Sequence, residues 1–233
     1  MRLDRYRAVF FDVGGTLLKV HPSVGHVYAE HARDFGFRGS PEALNRSFRE
    51  AWRSLGGMES LGRKTGPEVE RAFWREVVRR TFEPFGGIEP FDDYFERLYE
   101  AFRRKDPWRL YEDVAESRIL ERLHRRGVVM GVISNWDSRL RDILDQVGLG
   151  DYFRFVLAST VVGAAKPDPR IFQEGLALSG VKAQEACHIG DEPETDLRGA
   201  QAAGLAGVLV DRHDRFPQFP NSRVRSFLEF DLE

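Results

Sequence analysis

Cysteine, lysine and long apolar runs are what this 233-residue chain has least of. A single cysteine, Cys187, excludes an intramolecular disulfide and with it the small disulfide-stapled folds. Set in an apolar run, it is expected to be a small buried hydrophobe, the ordinary state of a free cysteine. No apolar run is long enough to cross a membrane, so no membrane partner is expected. The Arg-bearing N-terminus lacks the apolar core and small-residue cleavage site of a secretory signal, and a cytoplasmic location is the expectation. Lysine occurs only at Lys19, Lys64, Lys105, Lys166 and Lys182, the other basic residues being Arg. No basic tail or stripe is present and the formal net charge is −2, which argues against nucleic acid as the partner. A hydrophobic content of 42% and a charged content of 31% describe an ordinary globular chain, long enough for one sizeable core plus an insert or for two modest domains.

The stretch that organises the chain is Ala8-Val9-Phe10-Phe11-Asp12-Val13-Gly14-Gly15-Thr16-Leu17. A short continuous apolar run bounded by turn residues reads as a strand buried on both faces. Gly14 and Gly15 break it and let backbone amides approach a ligand closely. Asp12 then falls at the carboxyl end of a central parallel strand, where open α/β sheets bind ligands. By itself it is a metal ligand, a nucleophile or a helix cap.

From about Val24 to Arg104 the pattern is helical without a convincing strand. Helices are expected over Gly25 to Phe35, from Pro41 (with Ser40 as N-cap) through Leu55, from Pro67 through Phe82, and over Phe91 to Phe102. The Gly-rich stretch Gly56 to Gly66 between the second and third is loop. After Pro107 the pattern alternates: helix Val114 to His124, strand Val128 to Ile133, a helix capped by Ser138 running to Val147, and strand Phe155 to Ala158. Helix Ile171 to Leu178, strand Ala186 to Ile189, helix Thr195 to Ala203 and strand Gly207 to Val210 follow. This spacing implies right-handed crossovers and a parallel sheet. The tail beyond Arg212 is irregular, with Val224 to Phe230 returning to pack on the core. The fold expected is α/β, a doubly wound parallel sheet with a Rossmann-like core formed by residues 1–20 and 107–233. An all-helical cap domain, residues 21–106, is inserted.

Several of these strands end in polar groups: Asp12, Ser134-Asn135, and Asp191 with Asp196 five residues on. Lys166 enters from a loop. Parallel strands present their carboxyl ends on one edge, so these groups converge. Clustered carboxylates repel one another unless a hard divalent cation joins them, and magnesium takes oxygen ligands while keeping several waters. The Ser134 hydroxyl, the Lys166 ammonium and the amides near Gly14-Gly15 suit an anion such as phosphate. Acid plus metal on one side and donors on the other describe a phosphoryl-transfer site. Each residue taken singly also has an ordinary structural use as turn, cap or solvated side chain.

Phe10-Phe11-Asp12-x-Gly14-Gly15-Thr16-Leu17, Ile133-Ser134-Asn135, Lys166-Pro167-x-Pro169 and Ile189-Gly190-Asp191-(x4)-Asp196 resemble, in order, the four motifs of the haloacid dehalogenase superfamily of hydrolases. The resemblance covers the whole core, and the helical insert is similar to the family's cap, which covers the active site and contributes specificity. It implies that Asp12 is a nucleophile forming an aspartyl-phosphate. Ser134 and Lys166, with Asn135 and the amides of Gly14 and Gly15, would hold the phosphoryl group. Magnesium would be bound by Asp12, the Gly14 carbonyl and Asp191, with Asp196 orienting the metal shell or Lys166.

One position departs from the pattern. The family's phosphatases carry a second aspartate two residues after the nucleophile as general acid and base; here that position is Gly14. The resemblance to its dehalogenases is poorer, since these place Tyr there and dispense with metal. Its phosphonate-cleaving members place Ala there and use a cap lysine to form a Schiff base; in this chain Lys64, in the Gly-rich loop, is either the candidate for that role or an ordinary solvated lysine. His21, at the cap hinge, is either a replacement acid or a surface histidine. The function expected is a magnesium-dependent phosphatase acting on a small phosphorylated metabolite. The alternatives are phosphonate or halide cleavage, or a phosphoryl-binding regulatory protein with little turnover. Met58, Arg63, Lys64 and Trp136 are the candidate pocket residues, and the chain is expected to be a monomer or homodimer.

Overall fold

The computed structural model describes residues 1–232. At its centre lies β1 (Ala8–Phe11), hydrogen-bonded in parallel to β4 (Val129–Ser134) on one side and β6 (Ala186–Gly190) on the other. With β5 (Phe155–Ala158), β7 (Ala206–Val210) and the short β8 (Arg223–Val224), they form a parallel sheet of order β5-β4-β1-β6-β7-β8. The strand order reverses at β1, so the carboxyl ends of β1, β4 and β6 border one crevice.

Both faces of β1 are covered, which is why its sequence is apolar throughout rather than alternating. Val9 and Phe11 face a cluster containing Cys187, Ile189, Val132 and Phe227. Ala8 and Phe10 face a second one containing Ile133, Phe155 and Phe172. Burying each phenylalanine contributes roughly 1.5–3 kcal/mol. Cys187 is fully buried among these groups, and burial pushes its thiol up to about 12.

The insert joins the sheet through a feature absent from the sequence reading. β2 (Leu18–Val20) and β3 (Trp108–Leu110) pair antiparallel, Lys19 opposite Arg109, and form a two-stranded ribbon at the base of the helices. Those helices are α1 (Val24–Ala32), α2 (Pro41–Leu55), α3 (Pro67–Phe82) and α4 (Phe91–Ala101). Ser40 caps α2 as expected, its Oγ accepting from the Ala43 amide. They enclose a core of their own around Tyr28, Leu44, Phe82, Tyr94 and Phe95.

Elsewhere three local expectations differ. The helix expected over Val114 to His124 is broken at Arg118 (φ 49°) into α5 (Glu112–Ser117) and α6 (Ile119–Arg125). Ser138 does not cap α7 (Leu140–Gln146), because its hydroxyl is turned to a carboxylate of α3. Following α8 (Ser159–Val162) and α9 (Pro169–Ser179), the helix expected from Thr195 begins at Pro193 as a π-helical turn, Pro193–Arg198, and continues as α10 (Gly199–Ala202). The tail does return: Phe227 and Phe230 are buried, and the ring of Phe227 stacks 6.5 Å from that of Phe11.

Candidate active site

Asp12 is the first residue beyond β1, its amide still bonded to the Ile189 carbonyl of β6 (2.9 Å). Its Oδ1 accepts from two buried donors, the Ser134 hydroxyl at the end of β4 (2.8 Å) and the Lys166 ammonium (2.7 Å). Neither bond falls on Oδ2. Lys166 is 1% exposed and also donates to Asp196 Oδ1 (2.5 Å). Burial works against its charge, but Asp12 and Asp196 outweigh it and hold the ammonium firmly protonated.

Asp191, after β6, and Asp196, on the π-helical turn, complete an acidic trio with Asp12. One ligand oxygen from each lies within 4.8 Å of the others. Burial raises the Asp191 carboxyl well above the usual carboxylate range, and the charges of Asp12 and Asp196 raise it further. Burial also opposes ionisation of Asp196, but Lys166 and His188 outweigh it and keep that carboxyl low. Three converging carboxylates facing a single ammonium leave excess negative charge that a hard divalent cation would neutralise, and an all-oxygen donor set fits magnesium.

His188 was missed by the sequence reading, although it is a lone polar residue in an apolar strand. Its Nε2 lies 3.0 Å from Asp196 Oδ1 and its ring meets the edge of Phe172. Burial lowers its basicity. A neutral ring donating from Nε2 leaves Nδ1, which has no hydrogen-bond partner, as a bare acceptor rather than a stranded donor. The Asp196 Oδ2 accepts from the Glu192 amide (3.0 Å), so the turn that carries this carboxylate is tied at both oxygens.

The loop after Asp12 differs from expectation in its amides. Gly15 (φ +80°) donates its N–H to the Leu18 carbonyl (3.0 Å) rather than leaving it for an anion. What the position requires is the absence of a side chain: a Cβ would stand 2.4 Å from Asp191 Oδ2. Gly14 is exposed, and a Cβ there would lie 3.2 Å from the ring of Trp136. Asn135 spends its side-chain amide on the Lys166 backbone, accepting from its N–H (2.7 Å) and donating to its carbonyl (2.9 Å), and also donates to Glu59 (2.7 Å). It therefore positions the lysine loop and meets the helical insert.

Beneath the helices a cavity of about 350 Å³ runs from Asp12 into the insert. Met58 and Trp136 line it; Arg63, Lys64 and His21 are exposed and lie outside its wall. The insert is fastened beside it by a buried carboxylate. Glu70 of α3, 1% exposed, accepts from the Ser138 amide (3.0 Å), the Ser138 hydroxyl (2.5 Å) and the Thr160 hydroxyl (2.5 Å). Next to it Asp137 binds the Arg139 guanidinium through Nε (2.9 Å) and Nη2 (2.7 Å), and takes the Trp74 indole N–H (2.6 Å).

A family model described as haloacid dehalogenase-like hydrolase matches residues 6–204. The chain is 36% identical over 207 residues to the mouse protein named haloacid dehalogenase-like hydrolase domain-containing protein 3, covering 88% of this chain and 81% of the other. It is 38% identical over 186 residues to a phosphoserine phosphatase of Thermus thermophilus, covering 78% of this chain and 70% of that one. Among solved structures, a HAD phosphatase from Thermococcus onnurineus superposes with a TM-score of 0.65 at 25% identity, covering 95% of this chain and 94% of the other. With its strand-end residues gathered as described and its matched region spanning the insert and strands β1, β4, β5 and β6 of the sheet, this chain belongs to the haloacid dehalogenase-like hydrolases.

Proposed function

We propose that this hydrolase is a magnesium-dependent phosphatase that acts on a small phosphorylated metabolite through an aspartyl-phosphate on Asp12. The observation that carries the reading is the pair of buried donors, Ser134 and Lys166, on one oxygen of Asp12 beside the acidic trio. The likeness to a phosphoserine phosphatase and to a HAD phosphatase supports it.

On this reading Asp12 Oδ2, which neither donor occupies, attacks phosphorus. The bond from phosphorus to the leaving oxygen breaks, its electron pair departing on that oxygen. The Ser134 hydroxyl, turning its one proton from Asp12 Oδ1, and the remaining N–H of Lys166 hold the transferring phosphoryl oxygens. Water then attacks phosphorus, the Asp12–phosphorus bond breaks, and inorganic phosphate leaves with the carboxylate restored. Asp12, the Gly14 carbonyl and Asp191, with Asp196 behind them, are the residues that would hold magnesium. When bound, the ion supplies charge neutralisation at the phosphoryl group. Asn135 holds the Lys166 loop in register, and residues 21–106 serve as a cap closing over the core. Position 14 offers no proton, so leaving groups acidic enough to depart as anions turn over fastest. The Schiff-base alternative loses support because Lys64 is outside the cavity wall, where Lys166 is the sole lysine among the described residues.

The test is to quench the enzyme with acid during turnover and map the phosphoryl group by peptide mass spectrometry. A hydroxylamine-sensitive adduct on the peptide bearing Asp12 is expected. Turnover with the phosphoryl group on another residue overturns the reading.

A further inference from the structure

The chamber above Asp12 has a composition that the catalytic residues do not require. All four tryptophans of the chain, Trp52, Trp74, Trp108 and Trp136, line it, and each is half-buried rather than sealed in a core. They form two ring pairs, Trp52 with Trp74 (5.5 Å between centroids) and Trp108 with Trp136 (5.0 Å). Trp136 stands directly against Gly14, the residue beside the reacting carboxylate. A flat apolar group attached to a phosphate on Asp12 therefore meets a wall rich in indole rings.

The charges of the wall sharpen this. Among the described residues only Lys166 and Arg139 bring a cation to it. Lys166 is engaged by Asp12 and Asp196. Arg139 is neutralised by the two-point pair with Asp137, donates to the Tyr99 carbonyl (3.1 Å) and lies 4.0 Å from the centre of the Tyr99 ring. The other carboxyl groups outside the trio, Glu59 and Glu192, add further negative charge. A substrate carboxylate would find no unpaired cation here and would pay the cost of desolvating its charge.

We propose that the chamber selects aryl phosphate esters and disfavours leaving groups that bear a carboxylate. The inference rests on the phosphatase reading and deepens it. A neutral ring fits the indole walls, and its oxygen leaves as a stabilised aryloxide, which does not need the proton that position 14 cannot give. At about 350 Å³ the cavity falls within the roughly 300–1,000 Å³ of small-molecule sites.

Because every tryptophan faces the cavity, intrinsic fluorescence reports its occupancy without turnover. Wild-type enzyme with magnesium is titrated with phenylphosphonate, methylphosphonate and phosphoserine. In parallel kcat/KM is measured for p-nitrophenyl phosphate, acetyl phosphate and phosphoserine. Acetyl phosphate, a mixed anhydride with no free carboxylate when bound, has an acidic leaving group but no ring, so it separates ring recognition from leaving-group chemistry. Phenylphosphonate is expected to quench the fluorescence and bind at least about tenfold more tightly than methylphosphonate, as burial of a ring implies. Phosphoserine is expected to be the poorest ligand and substrate. Trp52→Leu is expected to lower the preference for p-nitrophenyl phosphate over acetyl phosphate by about tenfold. Equal affinity for the two phosphonates, or a preference for phosphoserine, overturns the proposal. Tight, quenching phenylphosphonate binding without hydrolysis of any ester under any divalent cation supports the chamber's selectivity and overturns the phosphatase reading alone.

Discussion

Replacing Glu70 by Ala should loosen the insert from the core without touching any residue around Asp12. The carboxylate is 1% exposed and accepts three hydrogen bonds, two from Ser138 and one from Thr160. Hydrogen bonds to a charged group contribute about 1.5–3 kcal/mol each, so the gross loss is several kcal/mol. Two compensations reduce it. Ser138 is exposed and recovers water, and the Thr160 hydroxyl keeps its bond to the Trp136 carbonyl (3.2 Å). The side chain also leaves a small void under α3. A net cost of about 2–4 kcal/mol results. For a chain of this size each kcal/mol lowers Tm by about 2–4 °C. Glu70→Gln, which keeps one acceptor oxygen and the volume, should cost about half as much. Urea titration followed by far-UV circular dichroism measures the stability, and initial rates measure KM, which is expected to rise as the insert samples open positions. A Glu70→Ala variant with unchanged urea midpoint and unchanged KM would refute this reasoning, since a buried carboxylate with three donors cannot then be what fastens α3.

Asp211 provides a pH-dependent counterpart at the other edge of the sheet. It is fully buried and accepts from the amides of Arg215 (2.9 Å) and Phe216 (2.8 Å) and from Arg223 (2.9 Å). Burial alone would raise its carboxyl, but these donors outweigh it and hold the value below the ordinary 3.8. Its contribution is therefore complete above 3.8 and lost as pH falls through the lower folded value. Urea midpoints measured from about pH 5 to pH 2 should decline less steeply for Asp211→Asn than for wild type. Gly14→Asp restores a proton carrier, worth up to about 10²–10⁴ for alkyl esters, but its Cβ would lie 3.2 Å from Trp136. Alkyl esters should gain relative to aryl esters and tryptophan emission should shift; an unchanged alkyl-to-aryl ratio of kcat/KM contradicts the role assigned to position 14.

The parts of the fold legible in the sequence are those whose cause is local. β1 and β4 to β7 read as apolar runs because both faces of the sheet are covered, and α2 announced itself by Ser40 and Pro41. The gathering of Asp12, Ser134, Lys166 and Asp191 followed from strand ends sharing one edge of a parallel sheet. What escaped depends on partners far along the chain. β2 and β3 are three residues each and exist only because residues 18–20 meet residues 108–110. Glu70 reads as one more solvated acid of an amphipathic helix until Ser138 and Thr160 arrive to bind it. Arg118 carries no glycine-like signal for the φ of 49° that splits α5 from α6. Asn135 and Gly15 were expected to offer donors to phosphate, but their bonds go to Lys166 and Leu18, choices that only the folded loops decide.

The most direct test of the account is steady-state hydrolysis of p-nitrophenyl phosphate by wild type and Asp12→Asn, with magnesium and with chelator. Its acidic leaving group bypasses the missing proton carrier, so the assay isolates the nucleophile. Wild type is expected to hydrolyse it only with the divalent cation, and Asp12→Asn to lose at least about 10³-fold in kcat while remaining folded. A variant that keeps the wild-type rate, or a wild type silent with every divalent cation, would contradict the central claim.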